Sequence, residues 1–148
     1  MIFSMPALAA EQKSLTFREL PIEQQQLVVS YNSIEYKEQI LAGIMMCESK
    51  GNPKAYNPND AKITGYASYG LYQFQPYTWA KNAEKYKVLE NATKLTVKQL
   101  LKYLYNPAYN AAVAHGMIKD GLWNWTHWRN CGEFIGLDEI PKLVYRFQ

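Results

Sequence analysis

The apolar positions of this chain recur mostly at helical intervals and seldom alternate. Ile40, Leu41, Ile44 and Cys47 share one face of a helix predicted over residues 36–50, which stops at Gly51 with Pro53 beyond. Upstream, residues 11–34 are polar with an apolar patch at Leu27, Val28 and Val29, and predict a helix leading into the core. Pro76 suits a first helical turn, so residues 77–86 read as a helix. Thr96-Val97-Lys98-Gln99 fits a capping box, followed by an apolar face of Leu100, Leu101 and Leu104. Asn106 and Pro107 supply an N-cap and a first helical residue for a helix that carries Ala111, Ala112, Val113 and Met117 and ends at Gly121. Trp123, Trp125 and Trp128 follow in a short aromatic segment, and residues 132–148 carry no readable pattern. Residues 51–70 are loop-like, rich in Gly, Asn and Pro, yet Tyr56, Tyr66 and Tyr69 argue against disorder. β-prone residues surround glycines within 62–75, so the insert is either a long loop or a small hairpin of 63–66 with 69–72. The expected fold is mostly α, an α+β helical bundle with this insert after the 36–50 helix, and residues 11–148 form one domain.

One residue breaks the pattern. Glu48 falls between Ile44 and Leu41 on the helical wheel, where a carboxylate is out of place. It also lies in the last turn, at the negative end of the helix dipole. Desolvation and the dipole both disfavour its charged form and raise its pKa. A carboxyl kept protonated near neutral pH is what general acid catalysis needs. The plainer alternative is a glutamate that reaches a rim or pairs with a lysine.

Composition narrows the partners. With 48% hydrophobic and 20% charged residues the chain is built to fold. Its 12 Tyr and 4 Trp offer flat faces that either stack on sugar rings or fill a core. A net charge of +3 is too small and scattered for nucleic acid, and Lys94, Lys98 and Lys102 read as a solvated helix face. The balance suits an anionic polymer without requiring one. Residues 1–10 are either the end of a secretory signal, with Ala7-Leu8-Ala9-Ala10 before the cleavage point, or an N-terminal arm. Export to the periplasm or the exterior is expected, and no later segment is apolar and long enough to span a bilayer. In an exported chain Cys47 and Cys131 suggest a bridge; the alternative is two buried thiols. His115 and His127 have no partners at metal-ligand spacing and read as structural or exposed. Asp60 with Asn57 and Asn59 lacks the pattern of a calcium loop, and Ser49 reads as a helix-end residue. No metal and no cofactor is expected.

Three segments line up: Glu48-Ser49 with Gly51-Asn52-Pro53; Gly70-Leu71-Tyr72-Gln73-Phe74; and Asn106-Pro107 through Tyr109-Asn110-Ala111. Together, over about residues 38–131, they resemble the lytic transglycosylase family of the lysozyme-like superfamily. The resemblance implies a lysozyme-like helical bundle around a glycan-binding cleft, with Glu48 as its single acid/base. Gln73 matches the glutamine beside the acid, and Tyr72 takes the position of a groove-lining methionine. Phe74 follows that glutamine and joins the substrate-binding set. Asn57 falls where the family usually has a serine. The family's third motif, alanine-tyrosine-asparagine-x-glycine, is replaced by Gly121-Leu122-Trp123-Asn124-Trp125-Thr126-His127-Trp128-Arg129-Asn130-Cys131, which is similar to smaller extracellular relatives ending in Trp-x-x-Cys. Tyr109 or Trp125 is then expected to replace the missing tyrosine. Tyr56, Tyr66 and Trp79 either line the groove or pack in the core.

The activity implied is cleavage of the β-1,4 bond between N-acetylmuramic acid and N-acetylglucosamine in peptidoglycan strands, with a 1,6-anhydro product. A hydrolytic muramidase using Asp60, which otherwise reads as a solvated turn residue, and a non-catalytic glycan-binding module are the alternatives. The chain is expected to be a monomer, free or serving a secretion or phage assembly machine.

Overall fold

The computed structural model describes residues 15–148, so the signal-sequence reading of residues 1–10 lies outside the described residues. Eight α-helices carry the described fold: α1 Ile22–Tyr31, α2 Ile34–Ser49, α3 Asp60–Thr64, α4 Pro76–Lys85, α5 Val97–Leu104, α6 Pro107–Asp120, α7 Arg129–Phe134 and α8 Lys142–Tyr145. Short 3₁₀ turns lie at Phe17–Glu19, Ala92–Lys94, Leu122–Trp128 and Leu137–Glu139. The two strands, β1 Tyr56–Asn57 and β2 Ser68–Tyr69, pair antiparallel with Tyr56 opposite Tyr69 and Asn57 opposite Ser68. The mostly α, lysozyme-like architecture with a small β insert is the expected one.

Caps set most of the boundaries. The Ser33 hydroxyl accepts the Tyr36 N–H at 3.1 Å and starts α2 two residues before the predicted point. Lys50 in the left-handed region (φ 56°), then Gly51 (φ 77°), ends it. α4 opens with Pro76, and Thr96 and Gln99 form the predicted reciprocal box ahead of α5. The Asn106 Oδ1 accepts the N–H groups of Ala108 and Tyr109 to open α6.

Two expectations are corrected. Residues 11–34 do not form one helix: the described part divides into the 3₁₀ turn at Phe17–Glu19 and α1, with Pro21 between them. A proline lacks an N–H and blocks helix continuation through its ring. Residues 63–66 are not a strand. They end α3 and its cap, Gly65 at φ 86°, whose N–H donates to the Ala61 carbonyl at 2.9 Å. The partner of β2 is therefore the earlier β1.

Ile40, Leu41 and Ile44 of α2 are buried, while Cys47 sits at the exposed edge of that face. α2 packs on α6 and α7, and α4 packs on α5 and α6 through Trp79, Ala80 and Ala83. Each fully buried large side chain contributes about 1.5–3 kcal/mol relative to exposure. Trp79 belongs to this core: it is fully buried, stacks on Tyr103 and donates its indole N–H to the Tyr109 carbonyl at 3.3 Å. The stretch 132–148 closes the core with Leu137, Ile140 and Val144, and α8 packs on α1. Its helices are too short to show a period in the sequence.

Cys47 and Cys131 form a disulfide with a Cα–Cα distance of 5.7 Å, joining the end of α2 to α7 across 84 residues. Chain-entropy reasoning gives such a closure about 4 kcal/mol of stabilisation. Among the described residues no helix is long and apolar enough to cross a membrane.

Candidate active site

The last turn of α2 delivers Glu48 into a cleft of about 480 Å³. The insert lines it with Asn57, Asp60 and Thr64, and the segment that follows with Ser68, Gln73 and Gln75. His127, Trp128, Arg129 and Asn130 close the remaining side. Glu48 is half-buried, and among the described residues its carboxyl has no hydrogen bond or ion pair. Its pKa is pushed up from 4.5 to about 7, first by burial and then by the charge of Asp60. A group in that state gives up a proton and takes it back near neutral pH.

Asp60 is the first residue of α3, and its Oδ2 accepts a hydrogen bond from the Ser68 hydroxyl. Ser68 is buried in β2, so the two-stranded sheet carries the anchor of the second carboxylate. Asp60 is thus part of the cleft wall, which the turn-residue reading did not foresee. It is the placement the muramidase alternative required, since Asp60 is the one acid in residues 51–70.

Gln73 lies in the left-handed region at φ 50°. Its amide Nε2 donates to the Gly70 carbonyl at 3.0 Å and to the Ala55 carbonyl at 3.3 Å. Its amide oxygen makes no hydrogen bond among the described residues and is free to accept from a ligand. The turn that presents it is clamped by Asn110, fully buried in α6. The Asn110 Oδ1 accepts the Tyr72 N–H at 3.0 Å, and its Nδ2 donates to the carbonyls of Leu104 (2.9 Å) and Tyr69 (3.2 Å). Gly70 (φ 81°) passes so close to Leu104 and Asn110 that no Cβ fits.

Of the residues singled out in the sequence, Glu48, Asn57, Asp60 and Gln73 meet in the cleft. The Asn57 Oδ1 accepts the Asn59 N–H at 3.0 Å, ordering the turn into α3. Tyr72 and Phe74 lie beneath the surface. The Tyr72 carbonyl accepts the Trp128 indole N–H at 2.8 Å, and Phe74 packs between His127 and Trp128. Tyr109 is exposed on α6 with its ring edge against Tyr103, away from the cleft lining. Trp125 is buried against Gly132 and donates to the Tyr145 hydroxyl at 2.9 Å. Neither Tyr109 nor Trp125 lines the cleft; the wall on that side comes from residues 127–131.

Ser49 is buried and turns its hydroxyl back to the Met45 carbonyl at 3.2 Å, as suits a helix-end residue. His127 is exposed, yet its ring packs against Trp128 and Phe74, and the desolvation this brings lowers its pKa. Arg129 is engaged with Glu133 at 3.7 Å and lies 5.8 Å from the Trp125 ring. No group of three or more metal-ligating side chains assembles among the described residues.

The family model of the Transglycosylase SLT domain matches residues 31–131, a span that takes in every residue lining the cleft. The chain belongs to this family, the lytic transglycosylases of the lysozyme-like superfamily. Its function is of the lytic-transglycosylase, peptidoglycan-active type. No curated protein and no solved structure matches the chain significantly.

Proposed function

We propose that the protein cleaves the β-1,4 bond between N-acetylmuramic acid and N-acetylglucosamine, with Glu48 as its one acid and base. The supporting observation is Glu48 itself: a carboxyl with a pKa near 7, unpaired, open to a cleft and half-shielded from water. Protonated Glu48 gives its hydrogen to the bridging oxygen as the glycosidic bond breaks. The substrate's acetamido oxygen adds to C1 and holds the developing positive charge, so no protein nucleophile is needed. Glu48, now a carboxylate, removes the proton from the C6 hydroxyl. O6 closes on C1, the acetamido oxygen leaves, and a 1,6-anhydro sugar forms with Glu48 protonated again. Gln73 would accept a hydrogen bond from the sugar beside the acid.

A second reading, hydrolysis by a muramidase, is favoured by one observation: Asp60 lines the same cleft, and its charge acts on Glu48. There Glu48 is again the acid, and Asp60 takes a proton from the water that attacks C1, releasing it to solvent as Glu48 is protonated again. In either reading the substrate lies outside the cell, which fits a chain bearing a disulfide.

Mass spectrometry of soluble products from purified peptidoglycan tests both. Anhydro-muropeptides support the first reading and reducing ends the second. A Glu48→Gln protein that digests the wall as fast as wild type would sink both, and a wild type that releases no soluble product would leave a glycan-binding module.

A further inference from the structure

A second, smaller hollow of about 180 Å³ lies on the other side of the first turn of α4. Gln75 and Thr78 of that segment line the cleft, whereas Pro76 and Tyr77 line the hollow. The insert divides in the same way, with Thr64 in the cleft and Tyr66 in the hollow. Gln75, on the cleft side, donates its amide N–H to the Thr64 hydroxyl and, at 3.5 Å, to the carbonyl of Tyr66 on the hollow side. The two hollows are therefore neighbours separated by one hydrogen-bonded ridge.

The floor of the smaller hollow is apolar and buried, made by Pro76, Ala80 and Leu100. Its rim carries three large side chains that a folded chain has no need to expose: Tyr66 (54%), Tyr77 (62%) and Val97 (43%). Exposed apolar groups gathered around a concavity mark a binding surface more often than isolated ones do. No charged side chain lines it, whereas Glu48, Asp60 and Arg129 all line the cleft.

We propose that this hollow binds a neutral N-acetylated sugar ring of the same glycan strand as the strand runs out of the cleft, with Tyr66 and Tyr77 as its stacking faces. The proposal rests on the reading of the cleft as a glycan-cleaving site. Continuity across the Gln75 ridge sets the occupant, because a polymer long enough to thread the cleft must continue over its rim. The absence of charge selects the sugar over the peptide stem, whose ionised groups would be stripped of water there with nothing to pair with. A flat apolar ring face with a polar hydroxyl edge matches a sugar, which has C–H faces and a hydroxylated rim.

The test compares wild type with the double variant Tyr66→Ala/Tyr77→Ala on long peptide-free glycan strands and on a tetrasaccharide. The expected result is a KM for long strands raised about tenfold, with kcat kept and tetrasaccharide cleavage unaltered. Tyr66→Phe/Tyr77→Phe keeps both ring faces and retains the wild-type KM. An unchanged KM in the alanine variant, or an equal loss on long and short substrates, overturns the proposal. So does an effect confined to strands that still carry peptide stems. The same residues are tested without turnover by equilibrium binding of long strands to Glu48→Gln protein, with and without the two alanines. Equal binding there overturns the subsite alone, whereas a wild type that cleaves neither substrate overturns the glycan-cleaving reading itself.

Discussion

The buried hydroxyl of Ser68 donates to the carboxylate of Asp60 and holds it in the cleft that contains Glu48. Asp60 is the second cause of the raised Glu48 pKa, after burial. Replacing Asp60 by Asn removes a negative neighbour and so favours ionised Glu48. Its pKa should fall below about 7 while burial keeps it above 4.5. The alkaline limb of the kcat/KM profile should move to lower pH in Asp60→Asn. A limb that stays in place would show that the two carboxylates do not interact.

Glu48 also links stability to pH. Its proton is bound more tightly in the folded protein than in the unfolded chain, so its contribution is complete below pH 4.5 and is lost as pH rises through about 7. Glu48→Gln has nothing to ionise. The variant should match wild type in urea unfolding at pH 4 and exceed it by about 1–2 kcal/mol at pH 8, a figure reduced for the partial exposure of the side chain. It should also lose roughly a thousandfold in turnover, in the range of a missing general acid. Equal stability gaps at both pH values would mean that position 48 titrates as an ordinary glutamate.

Asn110 satisfies one backbone N–H and two carbonyls with a single side chain. Asn110→Ala leaves these buried groups without partners and should cost about 3 kcal/mol or more, read by chemical denaturation. Gly70→Ala should act on the same turn, since its new methyl meets Leu104 and Asn110. Both variants should lose activity through misplaced Gln73, even at temperatures where they remain folded.

Reduction of the Cys47–Cys131 bond, or Cys131→Ser, removes a closure across 84 residues. The expected loss is about 2–4 kcal/mol in the urea unfolding midpoint analysis, equal in the two cases. A reduced protein as stable as the oxidised one would show that packing alone holds α7 on α2.

Local chemistry made much of this molecule readable from its sequence. Thr96 with Gln99, Asn106 with Pro107, and Pro76 each act on their own helix, so their caps could be foreseen. Glu48 was readable because its oddity lies on one helical face. The partner of β2 was not readable. Ile63 through Tyr66 are β-prone by composition, yet the helical turn begun at Asp60 and closed by Gly65 uses that backbone first. Tyr72, Phe74 and Trp125 show the other limit. An aromatic residue suits a core and a groove equally, and what buries these three is contact with Trp128, His127, Gly132 and Tyr145, set by tertiary packing. His127 was passed over because it has no metal partners, although it stands in the cleft wall.

The bridge from residue 47 to residue 131 has a topological consequence. All the groups that line the groove, from the acid at 48 to the cystine itself at 131, belong to one closed covalent circle of chain. Among the segments outside that circle, α1 and α8 lean on each other. Peeling of the two tails can therefore begin as a separate event, and the circle carrying the acid stays sealed while it does.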